Sequence, residues 1–213
     1  MKNASLIATL GAASVAGMAS AAVTTYTQFS NVSPNGWYQD ALAISGGYYD
    51  PGTFSNFNTT TNSGGFGWET FTVSVTNGTL SFTGGNLEFA SSSSSVEMDV
   101  LFSFSGGTNP PVSPNGIYGF GINFSVAPTT SNWIGVGVNG ASVGNGSYGN
   151  GFVGVIATTS GAPATAPIQT VRFSFQSGST ATITGTQYAI VPTPGALALL
   201  GAAGLATARR RRA

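Results

Sequence analysis

The chain contains no histidine and no cysteine, and its single lysine is Lys2. A Ser-His-Asp triad, a cysteine nucleophile, an imidazole or thiolate zinc site, a Schiff-base lysine and a phosphate-gripping P-loop lysine are all excluded, which leaves carboxylates alone for acid-base chemistry. Without cysteine no disulfide can brace the chain, so the fold must rest on its own hydrophobic core. Charge is scarce as well, at 6% of 213 residues. Lys2 and the four C-terminal arginines lie in terminal segments, so residues 22–190 carry all 6 acids against Arg172 alone, a net charge near −5. A body of this kind has no basic patch for phosphates, which excludes a nucleic-acid partner. With 41% hydrophobic residues and so little charge, it is expected to fold, with Ser, Thr, Asn and Gly keeping the surface hydrated.

The two ends read as addresses. Lys2, a small apolar run over 6–18 and the small-x-small triplet Ala19-Ser20-Ala21 predict a secretory signal peptide over 1–21, cleaved before Ala22 or one residue later. At the other end stand Val191-Pro192-Thr193-Pro194-Gly195, an uncharged Ala, Leu and Gly run through Ala208, and then Arg209, Arg210, Arg211 and Arg212. Pro192 and Pro194 end whatever precedes them and favour an extended chain. The apolar run over 195–208 would make a helix about 21 Å long, short for a hydrocarbon core of ~30 Å. The arginines should stay cytoplasmic, with the rest of the chain outside. Pro-x-Pro motif, hydrophobic helix and basic cluster, in that order over 191–213, resemble the PEP-CTERM sorting signal of bacterial exported proteins. The resemblance implies Sec export, a single transmembrane sorting helix and recognition by a membrane-embedded exosortase. The family most often has Glu between the prolines, where this chain has Thr193.

Between the addresses the sequence reads as strands. Residues 70–75 alternate Phe71, Val73 and Val75 with Thr70, Thr72 and Ser74, the period of a half-buried strand. Asn77-Gly78 and Gly84-Gly85 sit where hairpin turns are expected. Val96, Met98, Val100, Phe102 and Phe104 share one face, as do Tyr118, Phe120, Ile122, Phe124 and Val126, whose opposite face is mostly Gly, Asn and Ser. Further strands are expected over 86–89, 133–138, 152–157, 171–175 and 180–190, the lone Arg172 pointing to solvent. No helix is expected between the signals. About nine short strands between Gly, Pro, Asn and Ser clusters predict an all-β, antiparallel, jelly-roll-like sandwich over 22–190, with a parallel solenoid as the alternative. Residues 116–190 resemble the β-sandwich bodies of PEP-CTERM proteins. Residues 91–95 and 135–154 read as loops or edges.

Three patterns invite functional readings. Glu97 and Asp99 would project from one strand face ~7 Å apart, suitable for two-carboxylate glycoside chemistry. The triplet Glu97-Met98-Asp99 resembles the first half of the Glu-x-Asp-x-x-Glu motif of lectin-fold endoglucanases, but the third acid falls at Leu101 or Phe102 and is missing. Trp37, Tyr38, Tyr49, Asp50 and Trp68 gather aromatics and an acid in what reads as a loop-like stretch, where rings could stack on sugars or cap the core. Asp40 and Asp50 lack the spacing of a calcium loop. Thr180, Thr182, Thr184 and Thr186 read as one exposed row at strand spacing. The expectation is an exported, non-enzymatic cell-surface or extracellular-matrix protein, without cofactor or metal, whose partners are the export machinery, an exosortase and extracellular polysaccharide. A carbohydrate-binding module and a degenerate glycosidase are the rival readings.

Overall fold

The computed structural model describes residues 22–27, 36–45, 50–52, 54, 57–66, 69–105, 117–127, 133–147, 151–159, 162–163 and 167–190. In chain order the elements are β1 (Ala22–Tyr26), α1 (Trp37–Ser45), β2 (Asp50–Gly52), β3 (Ser63–Phe66) and β4 (Glu69–Thr76). There follow β5 (Gly78–Thr83), β6 (Asn86–Ser91), β7 (Met98–Ser105), β8 (Ile117–Ala127) and β9 (Trp133–Val138). The chain continues through β10 (Ala141–Ser147), β11 (Gly151–Thr159), β12 (Ala162–Pro163), β13 (Thr170–Phe175) and β14 (Thr180–Ile190). One sheet runs β1-β11-β8-β14-β6-β5, with β12 added at β11 and β2 at β14; the other runs β10-β9-β13-β7-β4-β3. The pairings are antiparallel, as in the β14–β8 and β13–β7 ladders. The all-β, two-sheet expectation is therefore met in the described residues, and the parallel solenoid is set aside.

The sheets meet through the alternating apolar faces. Met98, Val100 and Phe102 of β7 and Val171, Phe173 and Phe175 of β13 are buried against Tyr118, Phe120, Ile122 and Phe124 of β8. Phe102 lies 5.1 Å from Phe120 between ring centroids, 5.9 Å from Phe71 and 6.1 Å from Phe173. Phe104 meets Phe120 at 4.8 Å. These tilted and edge-on contacts are the geometry aromatic rings prefer.

Turn chemistry explains the register. Gly84-Gly85 closes β5 onto β6 with both φ angles positive, at 58° and 84°, as a two-residue hairpin needs. Asn139-Gly140 does the same for β9 and β10, with φ 49° and 82°. Asn139 Oδ1 accepts the backbone N–H groups of Gln169 at 2.7 Å and Thr170 at 3.0 Å, which ties that hairpin to the start of β13.

Several expectations are corrected. Asn77-Gly78 is not a hairpin: β4 and β5 belong to different sheets, so the turn carries the chain across the sandwich. Gly78 is needed there because a methyl group on it would lie 2.6 Å from Met98 Sδ. Glu97 lies before β7 rather than in it, and Val96 is exposed instead of facing the core. Within 91–95 the serines form a hydrogen-bonded turn, Ser93 Oγ accepting from the N–H groups of Ser95 and Val96. The glycine-rich stretch does contain an edge, the strand β10, as one of its two expected readings has it. The threonine row breaks at a register shift between Ile183 and Gly185. An extra residue in the strand moves later side chains to the other face. Ala181 and Ile183 face the core before the shift and Tyr188 after it. Thr186 is consequently 0% exposed, and its Oγ1 has no hydrogen-bond partner.

Two substitutions check this packing. Phe173→Ala should lower unfolding free energy by about 3–5 kcal/mol in urea titrations, because it empties a fully buried ring site. Thr186→Val removes an unpaired buried hydroxyl at nearly constant shape and should be neutral or stabilising by up to about 1 kcal/mol. A loss above that range for Thr186→Val would mean its hydroxyl has a partner.

Candidate functional site

The two outer faces of the sandwich differ in what lies on them. On the first sheet, α1 packs over β11 and β14, with Trp37 and Ala41 on one helix side, four residues apart, both 0% exposed. Asp40 in the first turn suits the positive end of the helix dipole. The helix was not expected because a nine-residue element with a two-residue apolar stripe barely registers as a period.

Glycine makes this close approach possible. A methyl on Gly154 would lie 2.6 Å from Trp37 Cδ1 and 2.7 Å from Phe152 Cζ. One on Gly119 would meet Trp37 Cζ2 at 3.2 Å, and the Phe152 ring covers Gly121. Trp37 and Phe152 meet edge to face at 5.8 Å, and Trp37 Nε1 donates to the Val155 carbonyl at 3.1 Å. The Gly-rich side of β8 is therefore largely covered rather than solvated.

This geometry decides the fate of the loop-aromatic site. Trp37 is buried and has no ring face to offer a sugar, so it leaves the binding set; it covers the sheet instead. Tyr38 follows it on the helix, half-buried against the same cluster. Asp50 stands in β2, opposite Tyr188 of β14. Tyr49 and Trp68 lie outside the described residues, so the structure brings no sugar-binding group together from this set. Asp40 accepts a hydrogen bond from the Tyr26 hydroxyl at 2.8 Å. Among the described residues no three His, Cys, Asp or Glu side chains cluster to hold a metal ion.

The outer face of the second sheet is polar. It carries Thr70, Thr72, Ser74 and Thr76 of β4, Asp99, Leu101 and Ser103 of β7, and Thr170, Arg172 and Ser174 of β13. Thr70 and Ser105 hydroxyls share a 2.6 Å hydrogen bond, and Ser174 Oγ donates to Asp99 Oδ1. Asp99 is thus a hydrogen-bonded strand residue, and Glu97 stands apart from it outside the strand, exposed. Beside them β9 presents Trp133, Gly135 and Gly137, whose neighbours Ile134, Val136 and Val138 face the core. The Trp133 indole lies over Gly135, its Cη2 at 3.3 Å from a methyl placed there. Arg172 lies over Gly137, Nε at 3.4 Å and Nη2 at 3.5 Å from the same kind of probe. Arg172 is half-exposed rather than fully turned to solvent, and its Nε is buried without a hydrogen-bond partner.

Most of the residues expected to direct export and sorting are not among the described residues. Ala22 opens β1 and is exposed; Ala19, Ala21, Val191, Pro192, Thr193, Pro194, Gly195, Arg209, Arg210, Arg211 and Arg212 lie outside the described residues. Among the described residues no helix is long and apolar enough to cross a membrane. In comparisons with known proteins, no family model, no curated protein and no solved structure matches the chain.

Trp133 was read from sequence only as the start of a strand. Its alternation with two glycines, one strand away from the sole base of the body, is the signal that marks this face. On the opposite sheet, burial, and then the hydrogen bond to Asp40, push the Tyr26 phenol well above its ordinary value of 10.0. Burial also raises Tyr118. The folded state therefore favours the neutral phenols, a contribution fully present below pH 10 and lost as pH rises beyond it. Unfolding free energy should hold steady up to about pH 9 and then decline, and the decline should be shallower in Tyr26→Phe. Identical alkaline slopes in the two proteins would count against the part-buried Tyr26–Asp40 contact.

Proposed function

We propose that the protein is an exported, non-enzymatic component of the cell surface or extracellular matrix, sorted and processed by an exosortase through residues 191–213. The observation that carries this reading is the tail itself, Pro192-Thr193-Pro194, an uncharged apolar run and Arg209 to Arg212 in that order. The described strands, from β1 (Ala22–Tyr26) paired with β11 to β14 (Thr180–Ile190) paired with β8, form their sheets from residues between the two terminal segments. Cleavage before Ala22 and near Pro192 would leave every described strand intact. The repeated crossing of the chain between sheets, from β4 to β5 and from β6 to β7, supports a jelly-roll-like connectivity. The signal helix and the transmembrane sorting helix belong to the same proposal, as does passage through a cytoplasmic-membrane precursor.

Thr193 in place of the family's Glu makes processing the decisive point. In cells with an active exosortase, intact-mass and terminal-peptide analysis should find a mature chain that starts at Ala22 and has lost the arginine cluster. Replacing Pro192 and Pro194 with Ala should leave the precursor inserted and uncut. Replacing the four arginines with Ser should weaken its retention and orientation. A mature envelope protein that still ends at Ala213 would reduce the tail to an anchor and end the sorting proposal.

A further inference from the structure

We propose that Trp133 and Arg172 form a binding site for a carboxylate-bearing polysaccharide on the outer face of the sheet containing β9 and β13. The floor of this site is the backbone of Gly135 and Gly137, with the Ser174 side chain beside Trp133 over Gly135 and Arg172 over Gly137. The indole of Trp133 lies along that floor, half-exposed, over Gly135. An aromatic face of this kind takes the C–H side of a sugar ring. Arg172 lies over Gly137, two strand residues farther on, about 6.7 Å away. A uronate ring stacked on the indole reaches the guanidinium with the carboxylate that projects from it.

The charge of the ligand follows from the state of Arg172. It is the only base in residues 22–190. Among the described residues no acid is joined to it, and its Nε is buried without a hydrogen-bond partner. Asp99, the acid on the neighbouring outer-face strand, is engaged by Ser174. The buried Nε is closed to a surface ligand, so a planar carboxylate would be held by the two terminal nitrogens of the half-exposed guanidinium through a pair of parallel hydrogen bonds. Because the body as a whole is acidic, a polyanion is attracted only by this local group, and its removal should be decisive. The site does not rest on the sorting tail, and failure of either proposal leaves the other standing.

The test is isothermal titration of the full-length protein in mild detergent with polygalacturonate and with its fully methyl-esterified, neutral counterpart. Polygalacturonate should bind, and the ester at least about tenfold more weakly. Arg172→Gln should weaken polygalacturonate binding by about tenfold or more while the ester is unaffected. Trp133→Ala should weaken both, and Trp133→Tyr should retain most of the affinity. Circular dichroism melts check folding; if Trp133→Ala does not fold, Arg172→Gln and Trp133→Tyr decide the matter. Equal binding of acid and ester, binding unchanged in Arg172→Gln, or no binding of polygalacturonate would overturn the proposal.

Discussion

The contact of Phe102 with Phe120 across the sandwich is the interaction on which the other layers depend. One ring comes from the middle of β7 and the other from the middle of β8, so their packing joins the two sheets at their centres. Phe71, Phe104 and Phe173 gather around the same pair. In a chain with no cysteine, this burial has to supply stability without any help from disulfides. Burying a Phe side chain contributes about 1.5–3 kcal/mol, and favourable ring geometry adds roughly 0.5–1.5 kcal/mol per pair.

Glycine, the other abundant residue, shapes the two outer faces to different ends. Over β8 and β11 it lets Trp37 and Phe152 lie directly on the backbone, so that α1 closes that face and joins it to β1 through Tyr26 and Asp40. Over β9 it leaves a floor beneath Trp133 and Arg172 that no helix of the described residues covers. The same local device yields a sealed face where the aromatic arrives from a separate helix. It yields an open one over β9, where no helix of the described residues adds a ring to the strand's own aromatic as Trp37 adds to Phe152. The binding proposal follows from that asymmetry.

Period-two alternation made the core strands legible. Phe71 and Val73, the Met98 to Phe102 series, the Tyr118 to Val126 series and Phe173 all face inward as their spacing predicts. Tertiary features were not legible. The shift at Thr184 reverses the faces of β14 without any change in residue type, so Thr186 could not be told from Thr182. Asn77-Gly78 has hairpin chemistry, but which sheet each flanking strand joins is a matter of long-range pairing. Trp37 could be read either as a sugar-stacking ring or as a cap on the core, because nothing near it in sequence predicts the glycines of β8 and β11 on which it rests. The polar face of β9 carried its information as absent side chains, which a search for reactive residues passes over.

Phenylalanine rings hold the two sheets face to face, and a double-mutant cycle on Phe102 and Phe120 tests this most directly. Each residue is replaced by Leu, singly and together, in protein spanning 22–190, and unfolding free energies are measured in urea. Rings in contact across the sheets should give a coupling energy of about 0.5–1.5 kcal/mol, since residues that touch are not additive. Strict additivity, with a coupling within about 0.3 kcal/mol of zero, would place the rings apart and contradict the sandwich described here.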